Sequence, residues 1–248
     1  MSERHILRCS GKDTNDFLQG LVTNDLRKLD QGGLVYAALL TPQGKYIADF
    51  FMLRDGDDIL LDVAQSQSAA LAQRLAMYKL RADVAITQTA LYLHRGLGPQ
   101  IPADGHSDPR HAGLGWRAYR STQPATDDTT DWTALRVTHA IPAADHELGP
   151  DSFILEHGFE RLNGVDFRKG CYVGQEVTAR MKHKTDLRKG LARVHLSGSA
   201  PEGTEIVRNG KSVGILHSRA GDQALAYVRF DRCGDGMTAQ DTRVTLIE

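Results

Sequence analysis

Phe167-Arg-Lys-Gly-Cys-Tyr-Val-Gly-Gln-Glu-Val-Thr-Ala-Arg180 is the stretch on which the reading of this chain turns. From Tyr172 onward its apolar residues recur at helical spacing, with Val173, Val177 and Met181 on one side. Glu176 and Arg180 stand four apart, the favourable orientation for an ion pair along a helix. Gly170 gives the backbone freedom just ahead of that helix, and Cys171 is expected at or near its first position. A thiol there feels the positive end of the helix dipole and two neighbouring cations, Arg168 and Lys169. All three lower a cysteine pKa from its reference of about 8.5, which makes Cys171 a candidate reactive or metal-accepting thiolate. The competing reading is a small buried hydrophobe, the commonest state of a lone cysteine.

Upstream, His5–Cys9 reads as a short strand, followed by a helix capped by Asp13 or Thr14 and carrying Phe17, Leu18, Leu21 and Val22. Thr23-Asn24-Asp25 reads as a break and a second cap. Two strand-like runs, Leu34–Leu40 and Lys45–Leu53, flank the turn chemistry of Thr41-Pro-Gln-Gly44 and predict a hairpin. Ile59–Val63 is a further strand, and 66–81 is the clearest helix, with a serine cap and apolar residues out to Leu80. Two short strands follow, 83–87 and 91–93, then a Gly-, Pro- and Asp-rich loop over 96–113. A second helix is expected over 127–140, carrying Trp132, Leu135 and Val137. From Leu187 onward, short β-like pieces separated by Gly, Pro, Ser and Asp predict a small antiparallel barrel or sandwich. The division is placed at 188: an α+β body over 1–187, expected as two lobes, and a β domain over 188–248.

Composition narrows the function classes. The chain has 248 residues, 30 Lys+Arg against 31 Asp+Glu, and 41% hydrophobic residues. That length builds a core without disulfides or a structural metal. No run approaches the roughly 18 apolar residues of a membrane span, so no membrane partner is expected. The charges near the N-terminus replace the apolar run of a signal peptide, and export is not expected. Cys9, Cys171 and Cys233 are odd in number, far apart and without a C-x-x-C pair. This argues against a disulfide scaffold and a self-contained zinc site, and a reducing cytoplasm is the expected location. A net charge of -1 argues against a DNA-coating protein. The basic run over 180–189 is a solvated face on the plain reading and a docking surface for an acidic partner on the sharper one.

Lys169-Gly-Cys-Tyr-Val-Gly-Gln-Glu176 resembles the K-G-C-Y-x-G-Q-E signature of the YgfZ-type folate-binding proteins, relatives of the glycine cleavage aminomethyltransferase (T-protein). Phe17-Leu-Gln-Gly-Leu-Val-Thr-Asn-Asp25, Ala37-Ala-Leu-Leu-Thr-Pro-Gln-Gly-Lys45, Tyr78-Lys-Leu-Arg81, Asp108-Pro-Arg110 and Trp132-Thr-Ala-Leu-Arg136 resemble further blocks of that family in the same order. The resemblance implies a GcvT-like α+β fold with antiparallel sheets and helices, then a C-terminal β-barrel. It also implies tetrahydrofolate binding and a part in assembly or repair of iron–sulfur proteins, with tRNA-modifying radical enzymes among the clients. Cys171 and Lys169 become the functional pair, and Trp132 an aromatic that lines the folate pocket. A flat pterin gains from stacking on such a face. Asn24, Asp49 and Gln175 are candidates for its ring nitrogens.

Three functions follow from different classes. The leading one is a tetrahydrofolate-binding accessory factor for iron–sulfur proteins, acting as a monomer through Cys171. The second is a folate-dependent aminomethyltransferase anchored by Asp49. It is weakened because Ala48-Asp49 stands where the T-protein carries two aspartates. The third is a transient cluster carrier: one cysteine cannot hold a centre that needs four ligands, so partner ligands or a thiol cofactor must supply the rest. A smaller departure lies at Ala140, where relatives commonly have glycine.

Overall fold

The structure is a computed structural model that describes residues 3–125, 128–183 and 187–247. The chain divides into two compact units, Met1–Thr129 with Phe159–Ala179, and Thr130–Gly158 with Arg180–Glu248.

The first unit opens with β1 (Arg4–Ser10), α1 (Thr14–Gln19) and a 3-10 turn over Leu26–Gln31. The hairpin β2 (Val35–Leu40) and β3 (Tyr46–Asp55) follows, then β4 (Asp58–Ala64), α2 (Gln65–Lys79) and β5 (Ala85–Gln88). The five strands form one antiparallel sheet in the order β2-β3-β4-β1-β5. Alternation along the strands sorts its two faces. Leu7, Cys9, Ala37, Leu39, Phe50, Met52, Leu61 and Val63 share an apolar cluster with Leu18 of α1 and with Leu71 and Leu75 of α2. The opposite face carries Tyr36, Asp49, Phe51 and Asp62, which are also buried. Burial on both sides explains why β2 reads as a continuous apolar run.

A three-stranded sheet in the order β6-β8-β7 completes this unit, from β6 (Tyr92–Gly96), β7 (His106–Ser107) and β8 (Trp116–Arg120). β8 lies beyond the loop expected over 96–113 and has no counterpart in the sequence reading. Its buried residues include Arg117, whose charge masks the apolar alternation of a strand.

The second unit holds α3 (Trp132–Thr138) and a 3-10 turn over Ile154–His157. α4 (Gln175–His183) begins in the first unit. A closed antiparallel barrel follows, from β9 (Lys189–Leu196), β10 (Glu205–Arg208), β11 (Lys211–Ala220), β12 (Gln223–Arg229), β13 (Thr238–Ala239) and β14 (Thr242–Ile247). Val194, Ile206, Leu216, Val228 and Val244 fill its interior, with Ala224, Ala226 and Ala239 as the small partners that a narrow barrel requires. The expected α+β body with a C-terminal barrel is thus present.

Several local expectations are corrected. The expected Ser66 cap of α2 lies inside the helix, because β4 runs straight into it and Ala64 stands at the boundary without a side-chain cap. Leu80 is 86% exposed at the end of that helix rather than part of its apolar face. α3 is shorter than the helix expected over 127–140. It starts only after Asp131, whose side chain accepts from the Ala134 N–H at 2.9 Å. Its exit passes through Ala140, held in the left-handed region at φ 51°.

Candidate functional site

Thr23-Asn24-Asp25 is the hub of the first unit. The Thr23 hydroxyl donates to the Gly164 carbonyl at 2.6 Å and accepts from the Ala38 N–H at 2.8 Å. The Asn24 amide nitrogen donates to the Tyr36 and Asn163 carbonyls at 2.8 and 2.7 Å. Its oxygen accepts from the Asp25 N–H and from Lys28 Nζ. An asparagine side chain offers two N–H donors and two acceptor lone pairs, so the side chain is saturated within the protein. Asp25 caps the 3-10 turn through the Arg27 N–H, with the Arg27 guanidinium holding its carboxyl well below the usual range. The hub ties β2 to the segment that leads into Phe167–Arg180.

Along that segment the side chains alternate. Arg168 is exposed, Lys169 is 4% exposed, and Gly170 and Cys171 are exposed. The buried Lys169 ammonium donates to the Gln19 carbonyl at 2.7 Å and to the Val22 carbonyl at 2.5 Å. These carbonyls lie at and beyond the C-terminal end of α1, where cations are favoured. The Tyr172 ring centroid is 5.0 Å from the same nitrogen. Burial pushes the Lys169 ammonium down to about 8, against the opposing pull of the Asp25 and Asp166 carboxylates.

Cys171 is the exposed one of the three free thiols; Cys9 is buried and Cys233 half-buried. Burial, and secondarily Asp58, pushes the Cys9 thiol up to about 12, which makes it inert at neutral pH. The expected placement of Cys171 at the first helical position is corrected: α4 starts at Gln175. The intervening turn depends on Gly174, not on Gly170. Gly174 has φ 84°, and a Cβ there would meet the Thr41 carbonyl at 2.6 Å. From the hairpin side, a Cβ on Gly44 (φ 74°) would meet the Val177 Cβ at 2.8 Å. The β2–β3 turn and the start of α4 therefore pack closely, Gly174 against the Thr41 backbone and Gly44 against the Val177 side chain, an approach that glycine at both positions permits. Gly170 has open space around it and no positive φ.

Asp49 lies on the buried polar face of the sheet. Its two oxygens accept from the Tyr36 hydroxyl at 2.9 Å and the Tyr46 hydroxyl at 2.5 Å. Burial raises both phenols, and the neighbouring carboxylate adds to the effect, so both remain neutral donors. Beyond it lies an ionic network that the sequence reading missed. Asp62 accepts from Arg4 and Arg117, Asp108 pairs with Arg110 and lies 3.5 Å from Arg117, and the Arg110 and Arg117 guanidiniums stand over the Phe51 ring. Burial alone would raise Asp62, but Arg117 and Arg4 override it and hold the carboxyl at about 2. Asp108-Pro-Arg110 was the one visible trace of this network, as a block without a role.

The candidate residues fall in both units. Asn24, Asp49, Lys169, Cys171 and Gln175 belong to the first unit, with Gln175 half-buried as the first residue of α4. Trp132 belongs to the second, 8% exposed at the start of α3. As pterin anchors, Asn24 does not fit, having no hydrogen-bonding position left, and Asp49 is covered by two tyrosine hydroxyls. Of the basic run over 180–189, residues 184–186 lie outside the described residues. Among the described residues no group of three or more His, Cys, Asp or Glu is arranged to hold a metal ion. No helix among them is long and apolar enough to cross a membrane.

Two family models match the chain: the GCVT N-terminal domain over residues 1–94 and the CAF17 C-terminal beta-barrel domain over residues 188–248. The chain is 30% identical to the human mitochondrial iron-sulfur cluster assembly factor IBA57, an alignment covering 91% of this chain and 75% of that protein. The chain belongs to the IBA57 family. It is also 33% identical to the mitochondrial IBA57 homolog of Mycosarcoma maydis and 29% identical to that of Neurospora crassa, with 80% and 82% of this chain aligned. It spans only 57% and 54% of those two relatives' length. The crystal structure of the glycine cleavage system aminomethyltransferase T from Bartonella henselae superposes with a TM-score of 0.74 over 93% of this chain and 77% of that one. At 14% identity that likeness establishes the GcvT-like fold alone. The cytoplasmic expectation is overturned, since these IBA57 relatives are named as mitochondrial proteins. The absence of disulfide and zinc patterns had argued only for a reducing compartment, and that argument does not single out the cytoplasm.

Proposed function

We propose that this chain is an accessory factor for the assembly or repair of iron–sulfur proteins and acts through Cys171. The observation that carries the reading is the exposure of this one thiol, within the octamer that resembles the YgfZ-type signature, on a chain of the IBA57 family. A lone cysteine supplies a single ligand to a cluster, so the remaining ligands come from the iron–sulfur protein being assembled. The cluster is cargo here, and the role of the chain is to present one sulfur at a fixed place.

Of the expected anchors of tetrahydrofolate, Asn24 and Asp49 are engaged within the protein, and the folate expectation narrows to stacking on Trp132 and hydrogen bonding to Gln175. Calorimetry with tetrahydrofolate tests it: binding weakened by Trp132→Ala supports a folate ligand, and no binding removes it. The aminomethyltransferase reading gains no support from Asp49, whose oxygens both face tyrosine hydroxyls.

Complementation in cells lacking the protein is the deciding experiment. Cys171→Ser is expected to abolish rescue of iron–sulfur enzyme activity, whereas Cys9→Ser and Cys233→Ser retain it. Full rescue by Cys171→Ser removes the thiol from the mechanism.

A further inference from the structure

We infer that Lys169 is the positioning residue of the Cys171 loop, an ammonium clamp that docks the loop on the carbonyl end of α1. The inference rests on the proposed role of Cys171. Read as a neighbour of the thiol, Lys169 would point outward with Cys171 and supply charge to it. The structure turns it the other way: Lys169 is buried, Cys171 is exposed, and Nζ bonds the carbonyls of Gln19 and Val22.

The charge has a local reason to be there. Carbonyls at the end of α1 carry partial negative charge, and the Asp25 and Asp166 carboxylates lie near enough to favour the ammonium. Lys28 bridges Asp166 at 2.7 Å and Asn24 at 2.7 Å, so the clamp stands on the Thr23–Asp25 hub. The other end of the loop is held at Gly174, packed against the Thr41 carbonyl and Gly44. Between these two attachments lie only Gly170, Cys171, Tyr172 and Val173. Tyr172 is buried and Cys171 is not, so the loop is fixed at both ends and presents its thiol outward.

A sulfur that must meet ligands on another protein gains from this arrangement. If the loop sampled many conformations, apparent affinity for the partner would fall by the fraction in the competent one. The clamp also gives a physical reason for three separated stretches to act together. Phe17–Asp25 offers the carbonyls, Thr41–Lys45 offers the close-packed turn, and Lys169–Glu176 spans the two.

The test compares Lys169→Met and Lys169→Arg in the full chain by amide hydrogen exchange and by complementation. In Lys169→Met, exchange of the Gln175 amide, which donates to the Tyr172 carbonyl at 3.2 Å, is expected to rise about tenfold as two charge-assisted hydrogen bonds of the loop are lost. Exchange in the barrel should stay as in the parent, and rescue should fall towards that of Cys171→Ser. Lys169→Arg, whose guanidinium can also bridge two carbonyls, should restore slow exchange and part of the rescue. A side chain that merely fills space would not be replaced by arginine in both readouts. Unchanged loop exchange in Lys169→Met overturns the clamp. Faster exchange with full rescue overturns the positioning role. Retained rescue in Cys171→Ser refutes the proposed function instead, with the clamp still judged by exchange. If Lys169→Met does not fold, Lys169→Gln, shorter and uncharged, carries the same comparison.

Discussion

The Tyr46 hydroxyl donates to an Asp49 oxygen at 2.5 Å although the two residues stand three apart on one strand. Strict alternation would place them on opposite faces. The register of β3 against β2 shifts between Leu39 and Leu40, so that Leu39 faces Ala48 while Leu40 faces Tyr46. That bulge turns Tyr46 to the polar face, as bulges commonly do when they re-aim a side chain. Tyr36, on the neighbouring strand, completes the cover of the carboxylate.

Removing one of the two donors tests this arrangement. Tyr46→Phe leaves a buried carboxylate oxygen without its partner and is expected to cost about 1–3 kcal/mol. Urea denaturation of the two proteins reads the loss as a lower midpoint at unchanged slope. A midpoint equal to that of the parent would show that solvent reaches Asp49 and replaces the hydroxyl.

The two glycines of the octamer should behave differently. Gly174→Ala places a Cβ against the Thr41 carbonyl at a positive φ, so a loss of about 2 kcal/mol or more is expected. Gly170→Ala meets nothing within 4 Å and should melt close to the parent. Parallel thermal melts check both, and equal effects would contradict the close packing of Gly174 on the hairpin turn.

Acid should release the Asp62 network in a defined window. The unfolded carboxyl takes up its proton near 3.8 and the folded one at about 2, so the unfolded state binds more protons between those values. The stability contributed by Asp62 is therefore fully present above 3.8 and is lost as the pH falls towards about 2. Asp62→Asn should be less stable at neutral pH, by about 3–5 kcal/mol for a broken buried pair. It should also show a shallower loss across that acid window. Stability of both proteins measured from pH 5 to pH 2 checks the difference in slope.

Ala140 offers a stabilising change. Its left-handed backbone costs an L-residue about 1–2 kcal/mol, and glycine returns part of that gain through the entropy of the unfolded chain. Ala140→Gly is therefore expected to raise stability by about 0.5–1 kcal/mol, read as a higher melting temperature. A drop would mean that the alanine methyl contributes more by packing than its backbone costs.

What the sequence determined by itself was the set of local elements and the presence of a special octamer. The hairpin around Thr41–Gly44, the helix over most of 65–79 and the barrel strands all announce themselves through turn residues and apolar periodicity, which act over a few neighbours in the chain. The cap at Thr23-Asn24-Asp25 was visible too, and Asp25 fills it, but the role of Asn24 was not. An asparagine that anchors a ligand and one that staples two backbone segments look the same until its partners, Tyr36 and Asn163, are known. Arg117 and Asp62 escaped notice, and Asp108 stood without a role, for a related reason: charged residues read as surface, and only their mutual pairing makes burial tolerable. The same holds for Lys169. Sequence places it two residues from Cys171, whereas the tertiary fold turns it inward to carbonyls roughly 150 residues away along the chain, because the end of α1 and the octamer are brought together only by packing.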